Sequence, residues 1–112
     1  MWKRRKKYLK GDKPYVISSR DLSPGQQATQ AAHALTQFHF EHPKISSSWY
    51  HDSQFLCLLS VANLEELDDL WLEVKSLGLN HSAWMEPDWY HELTAIAAVT
   101  YRTTPLLVLI IT

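Results

Sequence analysis

Apolar and polar positions change their rhythm several times along this chain, and each change predicts an element. "PYVISS" (14–19) is a run rich in β-branched and aromatic residues opened by a proline, the pattern of a short buried strand. "RDLSPGQ" then turns the chain into a helix. Ser23 is placed to cap it, and Pro24 falls at the first helical position, where a missing N–H costs nothing. Gln26 stands three residues after Ser23, completing the Ser-x-x-Gln capping box. The spacing predicts a helix over about 24–40 that must end before Pro43. At roughly 100° per residue its apolar face comprises Ala28, Ala31, Ala32, Leu35 and Phe38, with small residues near the start that permit close approach to a sheet. "HPKISSSWYHDS" (42–53) reads as a loop.

"QFLCLLSVA" (54–62) is an almost continuous apolar run, as in a strand covered on both faces. Asn63 is a capping residue with Glu66 three positions on and acidic residues crowding the first turn. Leu64, Leu67, Leu70, Trp71, Val74 and Leu77 then form an apolar stripe, and Gly78 is a natural stop, so a second helix is predicted over 63–77. "HSAWME" (81–86) and "LTAIAAVTY" (93–101) read as two further strands, joined by a segment too polar and aromatic for a simple turn. The order β-α-β-α-β-β predicts an α/β fold, a four-stranded mixed sheet flanked by helices with the last two strands antiparallel.

Composition sharpens this in only a few respects. A chain of 112 residues with 46% hydrophobic residues and five Trp can bury one core, so a single globular domain is expected over 14–112. Cys57 is the sole cysteine and has no intramolecular disulfide partner; in the middle of an apolar run it reads as a core residue. No secretory h-region follows the N-terminal charges, and "LLVLII" (106–111) is too short to span a bilayer, so a cytoplasmic protein without membrane contact is expected.

Charge is more informative in its distribution than in its total of -1. Residues 1–13 carry seven Lys or Arg against Asp12, a balance of +6, whereas the other 99 residues carry four against eleven Asp or Glu, a balance of -7. The basic stretch reads as a flexible tail, either simply solvated or an arm for nucleic-acid phosphates. The acidic body shows no nucleic-acid groove of its own.

The first helix holds the most unusual pattern. Gln26, Gln30, His33 and Gln37 share one face, three amides and an imidazole where a solvent-facing stripe normally carries Lys, Glu or Arg. Either they line a cleft at the strand-to-helix edge, where α/β sheets commonly bind ligands, or Gln26 merely completes the cap while the others face solvent or a partner.

Taken with "SRDL", "GQQATQAAHA", "FLCLLSV", "SLGLNHSAW", "MEPD" and "LTAIAAV", this helix makes the chain resemble the type II peptidyl-tRNA hydrolases from about Pro14 to Val99. The resemblance implies hydrolysis of the ester joining a peptide to the terminal ribose of tRNA, with peptidyl-tRNA as partner and no cofactor. It carries the family's helix-opening Gly onto Gly25, its helical Gln onto Gln30, its His onto His33, its acidic strand-end residue onto Glu86 and its Thr onto Thr94. Glu86, His33 and Gln26 are thereby the candidate catalytic residues, and Gly25, Gln30 and Thr94 the candidate substrate-binding residues. One departure is prominent: Gln26 stands where the family has a functional Lys. The ending "TTPLLVLIIT" also replaces the usual loop and C-terminal helix.

The chemistry so implied needs an activated water and a stabilised oxyanion. Helix N-terminal amides near Gly25 to Gln27 are candidate donors to that oxyanion. His33 or Glu86 is the candidate base, imidazole being the side chain whose ordinary pKa lies nearest neutrality. Gln26 offers a neutral hydrogen bond, about half the strength of the charge-assisted bond a Lys would give. Hydrolytic activity, retained or weakened, therefore stands beside a non-catalytic binding or dimerisation module on the same fold. His81, Glu86, Asp88, His91 and Glu92 match no recognised metal-ligand spacing, and no metal is expected. A homodimer is expected, with "LLVLIIT" in the contact, because an exposed uncharged strand of that kind aggregates.

Overall fold

The computed structural model of the protein describes residues 13–100. Within them the elements run β1 (Lys13–Ser19), α1 (Pro24–Glu41), α2 (Pro43–His51), β2 (Cys57–Val61), α3 (Leu64–Ser76), β3 (His81–Glu86) and β4 (Glu92–Thr100), with a 3-10 turn at Pro87–Trp89. The four strands form one mixed sheet in the order β2-β1-β4-β3. β1 runs parallel to β2, while β4 is antiparallel to both β1 and β3.

The two-residue period of the central strands decides what each face of the sheet covers. From β1, Val16 packs beneath α1 with Ala34, Phe38, Ala95 and Ala97. Its neighbours Tyr15 and Ile17 point the other way, onto Leu67, Leu70 and Val74 of α3. The result is an α/β fold with helices on both faces. Small side chains on β4 (Ala95, Ala97, Ala98, all fully buried) let the helices lie close to the sheet. Both helix starts follow from their caps. Ser23 Oγ accepts the Gln26 N–H at 3.2 Å while Gln26 Oε1 accepts the Ser23 N–H at 2.9 Å, and Asn63 Oδ1 accepts the Glu66 N–H at 2.8 Å. At the end of α3, Gly78 adopts φ +66°, a left-handed conformation that glycine takes without penalty.

Three expectations need correction. The expected loop after α1 contains α2, whose first residue, Pro43, ends one helix and opens the next. His42 gives it no side-chain cap; α2 is held instead by Ile45 against the core and by Ser46 Oγ, 3.0 Å from His39 Nδ1. β2 is not covered on both faces. It is an edge strand, with Leu58 62% exposed and Cys57 only half-buried, packed against the core from its margin. On α1 the buried stripe is Gln30, Ala34 and Phe38, while Ala28 and Ala32 face outward.

The far end of α1 is fastened to β3. Glu41 accepts a hydrogen bond from the Ser82 hydroxyl and a second, 2.9 Å, from Gln37 Nε2, and His42 Nε2 donates to the His81 carbonyl at 2.9 Å. These bonds fix α1 against the sheet and so set where its first turns lie over the ends of the strands. The basic stretch 1–12, the segment 106–111 and the dimer contact assigned to it lie outside the described residues. Among the described residues no helix is long and apolar enough to cross a membrane.

Phe38 is 1% exposed at the centre of the α1 face, whereas Phe40, two residues on, is 77% exposed. Phe38→Ala is expected to lower unfolding stability by about 3–5 kcal/mol. Phe40→Ala should change it by no more than about 0.5 kcal/mol. Urea unfolding of the two variants checks the phase of the helix directly.

Candidate active site

Glu86 is the last residue of β3, and Pro87 ends the strand immediately after it. Its side chain is on the α1 face and the residue is only 7% exposed. A carboxylate so placed must find donors inside the protein. It finds two: Gln30 Nε2 donates to Oε1 at 3.0 Å, and the Asp88 backbone N–H donates to Oε2 at 3.2 Å, which also caps the 3-10 turn.

Gln30 is itself 5% exposed and brings an acceptor into the core with its donor. That acceptor, Oε1, is satisfied by the Thr94 hydroxyl at 2.7 Å. The Thr94 carbonyl in turn accepts from Ser18 Oγ at 2.8 Å, tying the group to the C-terminal end of β1. The network therefore runs from β3 through α1 and β4 to β1.

Strict alternation along β4 would aim Thr94 away from α1, beside Ile96. The register explains why it does not. Trp84 pairs with Ala95 and Met85 with Leu93, so Thr94 is the extra residue of a β-bulge. Leu93 packs on the α3 side and Ala95 on the α1 side, and the bulge between them turns the Thr94 hydroxyl towards Gln30. The loop leading into β4 passes through Tyr90 and His91 at φ 53° and 60°, a left-handed pair without glycine. The His91 N–H bonds back to the Glu86 carbonyl at 2.9 Å and holds this tight return in place.

His33 lies one turn beyond Gln30 on α1. Its Nδ1 is buried and sits 3.8 Å from Glu86 Oε1, while the side chain as a whole is 43% exposed. The ring rests against Trp84, with centroids 4.6 Å apart. One ring nitrogen thus faces a carboxylate while the ring keeps an open side. Glu86 is held below the usual carboxylate range, first by the Gln30 hydrogen bond and then by the Asp88 N–H, against the opposing effect of burial. The Trp84 indole N–H, which meets no acceptor in hydrogen-bonding geometry, adds a weaker pull of the same sign, as does the nearby His33. Glu86 is consequently an anion by construction and a poor proton acceptor.

The structure brings Gln30, His33, Glu86 and Thr94 together at the C-terminal end of β1. Gln26 is placed differently: its Oε1 is occupied by the cap and the residue is exposed at the helix start. The expected row of free amides is also reduced. Gln26 N–H bonds Ser23 Oγ and Gln27 N–H bonds the Ser23 carbonyl at 2.8 Å, which leaves Gly25 as the donor of that trio without an internal partner among the described bonds. A Cβ on Gly25 would meet nothing within 4 Å, so the fold itself does not require glycine there. Trp84 and Asp88 also contribute to the site, although the sequence pointed to neither as a partner of Glu86 and presented Asp88 only among candidate metal-ligating residues. The two-residue period of β3 was the available signal for Trp84, which stands two positions before Glu86, whereas a backbone donor such as Asp88 leaves no residue-type signal. No group of three or more His, Cys, Asp or Glu capable of holding a metal occurs among the described residues.

A helix capped after a strand end, with a buried amide–carboxylate–hydroxyl network beneath a half-open histidine, defines an α/β protein with a polar site at one sheet edge. The family model described as Peptidyl-tRNA hydrolase PTH2 matches residues 15–107, and the chain belongs to that family.

Because folding depresses the Glu86 pKa, its ionised form contributes stability that is fully present above the ordinary carboxylate value of 4.5 and lost as pH falls through the lower folded value. Glu86→Gln should therefore be less stable than the parent at neutral pH. The difference should narrow progressively below about pH 4.5, as measured by urea midpoints between pH 7 and 3.

Proposed function

We propose that the protein is a cytoplasmic hydrolase of peptidyl-tRNA, working on the ester between the peptide and the terminal ribose. The observation that carries the reading is the pairing of His33 with a carboxylate that cannot easily take a proton. His33 is then the base and Glu86 its orienting anion. With a proton on Nδ1 facing Glu86, the other ring nitrogen is free to accept a proton from water. The water oxygen bonds the ester carbonyl carbon as that proton moves to His33, and Glu86 stabilises the imidazolium. Collapse of the tetrahedral species breaks the carbon–oxygen bond to the ribose, and His33 returns the proton to the leaving ribose oxygen.

Gln30 and Thr94 contribute by holding Glu86 in one orientation, and Gly25 by presenting a backbone N–H at the helix start to the developing oxyanion. Gln26, engaged in the cap, supplies no positive charge there. This supports an activity weaker than a Lys at the same position would give.

Single-turnover cleavage of a defined peptidyl-tRNA tests the assignment. His33→Ala is expected to lower the rate by about 10²–10⁴-fold, the usual worth of a general base. Gln26→Lys is expected to raise it, by up to about 10²–10³-fold if the ammonium reaches the oxyanion. Parent activity indistinguishable from buffer, with no gain in Gln26→Lys, would assign the fold a binding or dimerisation role instead.

A further inference from the structure

A second concave feature lies on the opposite face of the sheet from the site. α3 packs chiefly across β4 and β1, and leaves the α3-facing side of the edge strand β2 open. The groove that results has a volume of about 360 Å³. Ile17, Leu59, Val61 and Leu70 line its apolar part, and Glu66, Asp69 and Glu73 of α3 also line it. These three acids are spaced three and four residues apart, so they fall on one side of the helix. Lys75, the one cation within α3, is turned aside onto the Trp71 ring, 3.7 Å from its centroid. The groove therefore combines apolar walls with three carboxylates on one side of α3, while Arg20, whose guanidinium donates to the Ser60 carbonyl at 3.1 Å and to Ser60 Oγ at 3.2 Å, brings one cation to the lining on the β2 side.

We propose that this groove is the docking surface for the chain's own N-terminal segment, residues 2–10. Its sequence, "WKRRKKYLK", mixes six cations with Trp2, Tyr8 and Leu9. Such a segment matches the groove in both respects, since Lys and Arg lay their aliphatic stems on apolar surface while their charges reach outward to carboxylates. The connection is also short enough. The twelve residues before Lys13 can span up to about 40 Å when extended, and Ile17 is only four residues, about 13 Å, along β1 from Lys13. Tethering gives the segment an effective concentration of order millimolar, so individually weak exposed ion pairs suffice to populate the docked form at low salt.

Limited trypsin digestion of the full chain, with fragments from cleavage at residues 3–10 followed by mass spectrometry, tests this. Asp69→Asn/Glu73→Gln is the informative variant, because it leaves Glu66, whose Oε2 accepts the Ala62 N–H, in place. At low salt it should increase cleavage within residues 3–10 by about fivefold or more, whereas Glu65→Gln/Asp68→Asn, which removes the same charge from α3 outside the groove lining, should leave the rate at the parent value. In the parent, about 0.5 M salt should remove the protection, and tenfold dilution should not. Equal rates in parent and Asp69→Asn/Glu73→Gln would overturn the proposal, as would an equal increase in the control variant. Protection lost on dilution would assign the groove to a second copy's tail, and protection appearing only on addition of RNA would make the segment a nucleic-acid arm; either result contradicts docking on the chain's own groove.

Discussion

The burial of one carboxylate organises the α1 side of this protein. Glu86 lies at the end of a strand and under a helix, and an ion in that position is tolerated only with donors on both oxygens. Gln30 provides one and thereby brings a carbonyl oxygen of its own into the core. Thr94 satisfies that oxygen, but only because a bulge in β4 turns its hydroxyl towards the helix. Each group answers the hydrogen-bonding need created by the one before it. Loss of any member leaves a buried polar atom unpaired, at a typical cost of about 1–3 kcal/mol, so the network fixes helix, bulge and strand end as a unit.

That rigidity has a chemical consequence. An anion that accepts a hydrogen bond on each oxygen is a weakened base and a good electrostatic anchor. His33, tilted against Trp84 and with Nδ1 3.8 Å from the same oxygen, is the neighbour that the proposed reaction uses as base. Gln26 stands apart from this arrangement. In the capping box its amide does for the helix what a Lys could not, since Lys has no acceptor for the Ser23 N–H. Gln26 therefore serves order at the helix start and brings no charge to the site.

The strands and both caps could be read from the sequence because they depend on local chemistry. Ser23–Gln26 and Asn63–Glu66 need only their own residue types and spacing. What escaped depends on tertiary context. An alanine-rich helix has no strong moment. Phe38 could be placed on the buried face from the sequence, whereas Gln30 is buried there through its bonds to Glu86 and Thr94. α2 was hidden by Pro43 and three serines, since Ser46 is buried through a bond to His39 that no short-range pattern reveals. β2 has the composition of a central strand but occupies an edge, because β4 pairs on the other side of β1. The bulge at Thr94 carries no glycine or proline to announce it. The polar face of α1 could be recognised as unusual, but its answer lies on β3, where Glu86 stands 56 residues beyond Gln30 in the chain.

The account rests on Glu86 acting as a fixed negative charge for His33, and Glu86→Gln tests it most directly because it preserves shape while removing that charge. Single-turnover cleavage of a defined peptidyl-tRNA at pH 7, with substrate concentration varied, separates binding from chemistry. The account predicts a folded variant whose maximal rate falls by about 10²-fold or more while half-saturation moves by no more than about threefold. A maximal rate equal to that of the parent protein would contradict it.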